Sequence, residues 1–174
     1  MMKDSLHNTS APSQKRFRVP ARFIALAIVA AAVSYPTSAG AVLVPNVGAH
    51  GVHIGWTKGQ VRALLGIPGR QVIKPDEIMG SSINLTYGGL TVVLTPQGYV
   101  IAMEIKTKRE RTRNRIGVGS TINQVARRVR GVRCSRNWRN GCSIGGGTIG
   151  RRYTSFHFNS RRKVTSISIG RVID

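Results

Sequence analysis

The sequence predicts an α+β fold in which two tandem units each contain a helical segment followed by a three-strand antiparallel meander, with the helices on one sheet face. Three observations lead to this prediction: an internal repeat, a matching helix start in each copy, and apolar alternation after each helix. The repeat has an offset of 64 residues, so residues 54–61 resemble 118–125 and residues 100–105 resemble 164–169. An ungapped offset that fits both ends of a segment indicates two copies of one supersecondary unit.

A helix opens each predicted unit, because both copies carry the pattern Gly-x-Thr-x-x-Gln-Val. Thr57 can act as the N-cap and Gln60 can reach back to it, which is the capping-box arrangement. Thr121 and Gln124 repeat this arrangement in the second copy. Apolar residues three and four positions apart then form one face of a short helix, and Gly66 is a helix-ending residue in the first copy.

Alternating apolar and polar residues predict the strands that follow each helix. In the first copy the strands are expected over residues 83–87, 90–94 and 99–105, and in the second over residues 153–158 and 164–169. An irregular stretch is expected between helix and strands, at residues 69–82 in the first copy and around the cysteines in the second. One face of such an antiparallel sheet is covered by helices, and the other is free for solvent or a partner.

The N-terminal segment predicts a secretory signal peptide over residues 1–41. A basic stretch precedes the apolar run at residues 23–33, Pro36 follows that run, and small residues suit cleavage near Ala41. The alternative, a membrane anchor, needs about 20 apolar residues, and this run is shorter. The mature protein is therefore expected to be secreted or cell-wall associated, with no transmembrane span.

The mature chain is expected to divide into a first helix-plus-sheet repeat at residues 42–107 and a second, strongly basic repeat at residues 108–174. Without the signal region the chain has 22 basic and 5 acidic residues, a net charge of +17. Residues 42–105 carry +1 and residues 106–174 carry +16. A cluster of charges of one sign attracts polyanions and accelerates their encounter with the protein.

The cysteines of the chain are Cys134 and Cys142. In an exported protein a close pair of this kind predicts a disulfide. A zinc site is disfavoured, because two cysteines with no nearby histidine provide too few ligands. The spacing also differs from that of a Cys-x-x-Cys redox motif.

The basic residues of the second repeat are the candidate residues for binding a polyanion or a partner. Four alternating arginines, Arg109, Arg111, Arg113 and Arg115, would point the same way in an extended segment, and guanidinium groups bind phosphates and carboxylates well. The alternative for this run is a solvated linker between the repeats. Trp138, an aromatic residue among basic ones, is a candidate for an exposed contact. The remaining candidates are Arg127, Arg128, Arg130, Arg133, Arg136, Arg139, Arg151 and Arg152.

No catalytic set is evident, so the protein is expected not to be an enzyme. His50, His53 and His157 show no metal-ligand spacing with each other or with acidic residues. Few acids are available for a Ser-His-Asp set, and the sequence has no Gly-x-Ser-x-Gly motif. The glycine run at residues 145–147 lacks the Gly-Lys-Ser/Thr ending of a phosphate-binding loop. No cofactor and no metal are therefore expected.

The helix openings, the Gly-Pro-type stop after the first helix, the Tyr-Gly-Gly hairpin at residues 87–89 and the closing strands resemble a known group. The chain resembles tandem-repeat secreted proteins related to β-lactamase inhibitor protein, and the small outer-membrane assembly lipoproteins. The resemblance covers about residues 52–172. It implies two helix-then-sheet units that present a joint sheet surface to protein partners, with no shared catalytic residues.

The function expected from these observations is that of a secreted, non-enzymatic binding protein that recognises a protein partner at or outside the cell surface. The alternative is an electrostatic binder of anionic cell-envelope polymer, acidic lipid or extracellular nucleic acid. Because of export, a dedicated intracellular nucleic-acid role is not expected. A third hypothesis, inhibition of a secreted hydrolase, follows only from the resemblance. The expected partners are thus an extracellular or envelope protein, or an anionic surface polymer.

Overall fold

The computed structural model of the protein describes residues 43–135 and 141–173. The predicted signal peptide at residues 1–41 lies outside the described residues, as do Arg136, Trp138 and Arg139. The helices are α1 (Lys58–Leu65) and α2 (Ile122–Arg128). The strands are β1 (Leu43–Val44), β2 (Gly48–Ala49), β3 (Val52–His53), β4 (Arg70–Asp76), β5 (Gly80–Tyr87), β6 (Leu90–Leu94), β7 (Val100–Ile105), β8 (Arg133–Cys134), β9 (Cys142–Gly145), β10 (Arg152–Phe158) and β11 (Val164–Arg171).

The described chain is mostly β, and the predicted α+β fold of two separate helix-then-meander units is wrong. Four strands, not three, follow each helix, and all eight join in one antiparallel sheet in the order β4-β5-β6-β7-β11-β10-β9-β8. A second sheet, β1-β2-β3, precedes α1. The two halves of the large sheet meet where β7 pairs with β11. This pairing satisfies the backbone groups of two strands that would otherwise be exposed sheet edges.

Alternating burial determines which face of the eight-stranded sheet forms the core. Leu85, Val92, Met103, Ile167 and Phe156 are each at most 1% exposed, and each lies on a different strand. Burying side chains of this size contributes about 1.5–3 kcal/mol each. The two helices and the three-stranded sheet add residues to the same apolar cluster, so they lie on this face. The opposite face of the sheet carries half-exposed and mostly polar side chains.

Two strands that the sequence pattern missed, β4 and β8, lie at the edges of the large sheet. β4 takes up half of the stretch that was expected to be irregular, and most of its side chains are exposed. It therefore shows no apolar alternation, and Pro75 suits an edge strand; its backbone ladder with β5 holds it in place. At the other edge, β8 pairs with β9 through Cys134 and Cys142, and the predicted disulfide between these residues is confirmed.

Both helices begin with the predicted capping box. Thr57 accepts a hydrogen bond from the Gln60 amide, and the Gln60 side chain accepts one from the Thr57 amide at 2.9 Å. Thr121 and Gln124 form the same two contacts. Each helix buries one valine in the core. Among the described residues, no helix has the length and apolar character that crossing a bilayer requires.

The segment before each helix is hydrogen-bonded to the last strand of the same half. The Gly55 amide donates to the Val100 carbonyl at 2.7 Å, and the corresponding bond 64 positions later joins Gly119 to Val164 at 2.8 Å. Gly55 and Gly119 both have φ near +90°, a conformation that only glycine adopts readily. These bonds fix the N-terminus of α1 against β7 and that of α2 against β11.

Candidate functional site

The predicted basic residues lie on the surface, but on several different elements. Every predicted arginine within the described residues is exposed except Arg111, which is half-buried. Arg133 lies on the edge strand β8, and Arg152 begins β10, where its guanidinium donates to the Asn46 carbonyl at 3.5 Å. Arg151 lies in the turn before β10. The structure therefore gathers only part of the predicted set into one place.

The four alternating arginines do not form a single stripe, because the segment between β7 and α2 turns instead of running extended. The Arg115 amide donates to the Thr112 carbonyl at 2.8 Å, and Arg115 itself has φ of 61°. The Arg111 guanidinium folds back into this turn, contacting the Arg115 carbonyl at 3.3 Å and the Ser120 hydroxyl at 3.4 Å. Arg113 and Arg115 are exposed at the tip of the turn, while the half-buried Arg111 side chain stabilises the turn through its two contacts.

The turn is attached to the end of α2 by one short hydrogen bond. The Asn114 side-chain amide donates to the Arg128 carbonyl at 2.6 Å. Carbonyls in the last turn of a helix have no partner within the helix, so a side-chain donor at this position satisfies one of them. The bond places the tip of the turn beside the basic last turn of α2.

The result is a shallow depression of about 400 Å³, which we call the arginine groove. Its lining residues are Arg113, Asn114, Arg115, Arg127 and Arg128. A second depression of about 460 Å³ adjoins it and shares Arg113, Asn114 and Arg128. The rest of the second depression has five apolar lining residues, one further arginine and two polar residues: Leu43, Val44, Pro45, Val129, Ile144, Arg130, Asn46 and Thr112. Together the two form a continuous surface with a cationic part and an apolar part.

The second surface is a line of register partners that crosses the face of the large sheet opposite the core. We call it the polar row. Its eight members, one from each strand in sheet order, are Arg70, Thr86, Thr91, Glu104, Ser168, Ser155, Ser143 and Arg133. The six central members are half-exposed, and the two terminal arginines are exposed. Successive strand residues point to opposite faces, so the row lies directly behind the apolar core.

Two further features shape the sheet face around the polar row. The Lys106 ammonium lies 2.9 Å from the Glu104 carboxylate, so the acidic member of the row is paired. Tyr153 lies across Gly170 on the neighbouring strand, where a Cβ added to the glycine would come within 2.9 Å of the tyrosine ring. The tyrosine ring therefore lies over Gly170, in space that the side chain of a larger residue would fill.

A buried carboxylate joins the turn after β7 to the three-stranded sheet. Glu110 is 4% exposed, and its Oε1 lies 2.9 Å from Nε2 of His50. The contact is a close polar contact, since its geometry does not meet that of a hydrogen bond, and Glu110 Oε2 has no hydrogen-bond partner among the described residues. His50 has φ of 53° in the turn between β2 and β3. This pair is a structural contact between two segments.

The described residues place Nε2 of His157 at 3.1 Å from the hydroxyl oxygen of Ser168, a member of the polar row. They contain no group of three or more His, Cys, Asp or Glu side chains placed to hold a metal ion. The pKa of Tyr87 is raised above its usual value near 10 because burial disfavours the phenolate, and the nearby Arg62 guanidinium opposes this rise. The Tyr87 hydroxyl donates to the Gly66 carbonyl at 3.4 Å, at the end of α1. Its role is thus in packing α1 against the sheet.

Comparisons with known proteins give limited information. No protein family and no curated protein matches the chain. It is similar to an extracellular protein containing an SCP domain from Bacillus anthracis strain Ames, with 8% identity and a TM-score of 0.46 over 68% of this chain and 44% of the other. It is also similar to a DUF4309 family protein from Bacillus subtilis, with 14% identity and a TM-score of 0.43 over 71% of this chain and 84% of the other.

A third similar structure is a cysteine-rich secretory protein from Staphylococcus aureus, with 7% identity and a TM-score of 0.42 over 68% of this chain and 44% of the other. The chain thus spans less than half the length of the SCP-domain protein and of the secretory protein. Similarities of this size carry no argument about function. None of the three is a β-lactamase inhibitor protein, and that resemblance stays a hypothesis.

Sequence reasoning identified the basic residues but missed the groups that organise them. Asn114 belongs to no recognised sequence motif, so the sequence did not indicate that its side chain attaches the turn to the end of α2. The pairing of His50 with Glu110 was also missed, because 60 positions separate them in the sequence. The polar row could have been found only in part: alternation within each strand shows which residues share a face, whereas the row depends on the register between strands.

Proposed function

We propose that the protein is a secreted, non-enzymatic binding protein that recognises a protein partner at or outside the cell surface through the polar row. The observation that carries this proposal is the row itself, which extends across all eight strands. Residues with short side chains such as Ser and Thr lose little side-chain entropy when a partner covers them. A sheet face of this kind accommodates a broad partner surface rather than a small substrate.

The charges on this face favour an acidic partner. Arg70 and Arg133 close the two ends of the row, and Lys74 lies on the same face of β4 as Arg70. Glu104 is the one acidic member of the row, and Lys106 already pairs with it. Complementary charge at the rim of an interface accelerates encounter and fixes orientation. Acidic residues on the partner would therefore meet the two ends of the row while neutral contacts fill its centre.

The edges of the sheet argue against recognition by strand addition. β4 carries Lys74 and Pro75, and β8 has only two residues. Charge, proline and shortness are features that keep edge strands from pairing with other chains. The face of the sheet, rather than its edge, is thus the surface available to a partner. The disulfide between Cys134 and Cys142 also supports secretion, because such bonds persist in oxidising compartments.

The test is capture of partners from the producing cell's envelope and medium at about 1 M salt, where charge screening acts beyond about 3 Å. Wild-type protein is compared with Ser155→Glu in the middle of the row and with Ser160→Glu in the β10–β11 turn. Both variants add one negative charge in place of a serine. We expect wild type and Ser160→Glu to retain one discrete protein that Ser155→Glu loses. Equal retention by both variants, or no retained protein, would contradict the proposal.

A second candidate function is binding of an anionic cell-envelope polymer, acidic lipid or extracellular nucleic acid. The observation that favours it is the arginine groove, where four guanidinium groups line one depression. The affinity of such a binder falls steeply with salt, because binding releases counterions. Affinity for polyphosphate is measured at salt concentrations from about 50 to 200 mM. A slope near zero in the plot of log affinity against log salt would exclude this candidate.

A further inference from the structure

The arginines of the groove have no acidic partners among the described residues. In that part of the chain the salt bridges join His50 to Glu110 and Lys106 to Glu104, and neither involves an arginine. Four guanidinium charges thus share one depression without a carboxylate to balance them. Like charges that line one depression repel one another, and an anion bound between them offsets this repulsion.

Only two of these four charges belong to the helix itself. Arg127 and Arg128 lie in the last turn of α2, where cations interact favourably with the negative end of the helix dipole. Arg113 and Arg115 belong to the preceding turn and are not part of the helix. Their position follows from the bond between Asn114 and the Arg128 carbonyl, which brings a second pair of charges against the first.

The turn that presents Arg113 and Arg115 is held in place by several contacts. Thr112 and Ile116 are buried, at 6% and 1% exposure, and the Ile116 amide donates to the Thr112 hydroxyl at 3.1 Å. Arg115 keeps a left-handed backbone conformation that non-glycine residues seldom adopt. The arginines are therefore presented by a fixed backbone, so the ordering required on ligand binding is confined to their side chains.

We propose that the arginine groove is a specific site for a phosphate group, with Arg113 and Arg115 on one side and Arg127 and Arg128 on the other. This inference rests on the second candidate function and deepens it. Guanidinium forks bind phosphate oxygens in pairs, and forks from two elements suit a tetrahedral anion with several acceptor oxygens better than a planar carboxylate. The phosphate belongs either to a soluble phosphodiester polymer or to a lipid headgroup. The adjoining depression has apolar residues that could contact a lipid chain. The experiments below therefore distinguish a lipid headgroup from a soluble polymer.

The experiment measures binding of inorganic pyrophosphate by calorimetry at about 0.15 M salt, using the full mature protein with its disulfide intact. The groove variant is Arg113→Gln with Arg128→Gln, and the matched control is Arg161→Gln with Lys163→Gln in the β10–β11 turn. Each removes two exposed positive charges. Because a hydrogen bond to a charged group contributes substantially, we expect at least a roughly tenfold loss of affinity in the groove variant and less than about threefold in the control. Thermal unfolding of both variants checks that the fold is retained.

Three results would overturn the phosphate site. Equal weakening in both variants would show that net charge alone binds the anion, which leaves the polyanion function in place without a groove. Citrate binding as tightly as pyrophosphate would remove the preference for phosphate. No binding of pyrophosphate, together with no binding of polyphosphate, would overturn both the site and the polyanion function.

The source of the phosphate is separated by two further probes. Soluble polyphosphate is compared with vesicles of phosphatidylglycerol in phosphatidylcholine, using wild type and a Val44→Asn variant, which makes the apolar depression more polar without adding a charge beside the arginines. For a lipid headgroup, we expect Val44→Asn to weaken vesicle binding while polyphosphate binding changes much less. For a soluble polymer, both proteins bind polyphosphate more tightly than vesicles. If the Arg113→Gln and Arg128→Gln variant still bound both polyphosphate and the vesicles as tightly as wild type, the site would be contradicted for both sources.

Discussion

Removing the His50 imidazole should destabilise the protein by leaving Glu110 without its polar contact. Glu110 is 4% exposed, and the side chain of His50 is 32% exposed. A typical hydrogen bond contributes about 0.5–1.5 kcal/mol to stability. The contact between His50 and Glu110 lacks good hydrogen-bond geometry, so we expect a coupling energy of about 1 kcal/mol, within this range.

The assay is a double-mutant cycle measured by urea unfolding at neutral pH, with the disulfide intact in every protein. The variants are His50→Ala, Glu110→Gln and the combination of the two. His50 has a positive φ, and the backbone cost of alanine there cancels in the cycle because it occurs in both backgrounds. We expect His50→Ala to cost less free energy of unfolding when Glu110 is already Gln. A coupling energy below about 0.3 kcal/mol would refute the reasoning, since additive sites agree to within about that amount.

Three further predictions concern stability. Phe156→Ala, at a side chain with 0% exposure, should lower the free energy of unfolding by about 3–5 kcal/mol, as measured by urea unfolding; a loss under about 1 kcal/mol would contradict the assigned core. Replacing both Cys134 and Cys142 by alanine should cost about 2–3 kcal/mol, because the bond closes a loop with a sequence separation of 8. Reductant should then destabilise wild type, leave the variant unchanged and make the two proteins equally stable; an unchanged difference in reductant would contradict this. Burial raises the pKa of Tyr87 above 10, so the folded state keeps a proton that the unfolded chain loses. The contribution of the protonated Tyr87 to the free energy of unfolding is fully present below about pH 10 and decreases as the pH rises further. Tyr87→Phe should therefore lose less stability than wild type between about pH 9.5 and pH 11, and equal losses would contradict this.

The helix starts could be predicted from the sequence because they depend on local chemistry. Thr57 and Gln60 are three residues apart, and a capping box requires no information from the rest of the fold. The strands β10 and β11 were also predicted, since both carry buried residues at alternate positions. The disulfide was predicted because two cysteines that are close in sequence leave a single possible pairing.

The sheet could not be predicted from the same patterns. β4 is exposed along most of its length and is held by backbone hydrogen bonds, which leave no hydropathy signal. The pairing of β7 with β11 joins residues more than 60 positions apart, and alternation within a strand does not identify its neighbour. The small β1–β3 sheet has strands of two residues each, too short for any period to show.

The arginine groove was predicted in composition but not in shape. An extended segment would have placed four arginines in one stripe, yet Arg111 turns inward to brace the turn that presents Arg113 and Arg115. The decisive contact is the bond from Asn114 to the Arg128 carbonyl. A side-chain amide in a turn can bond to many backbone groups, so the sequence alone does not identify this partner.

Site-specific photo-crosslinking tests most directly the claim that the polar row is the recognition surface. A photoreactive side chain replaces Ser155 in the row in one protein and Ser160 in the β10–β11 turn in another, and each is irradiated with the producing cell's envelope and medium at about 1 M salt. The account predicts that the probe at position 155 crosslinks to one discrete acidic protein and that the probe at position 160 does not. Crosslinking of the same protein from position 160 alone, or no crosslink from position 155, would contradict it.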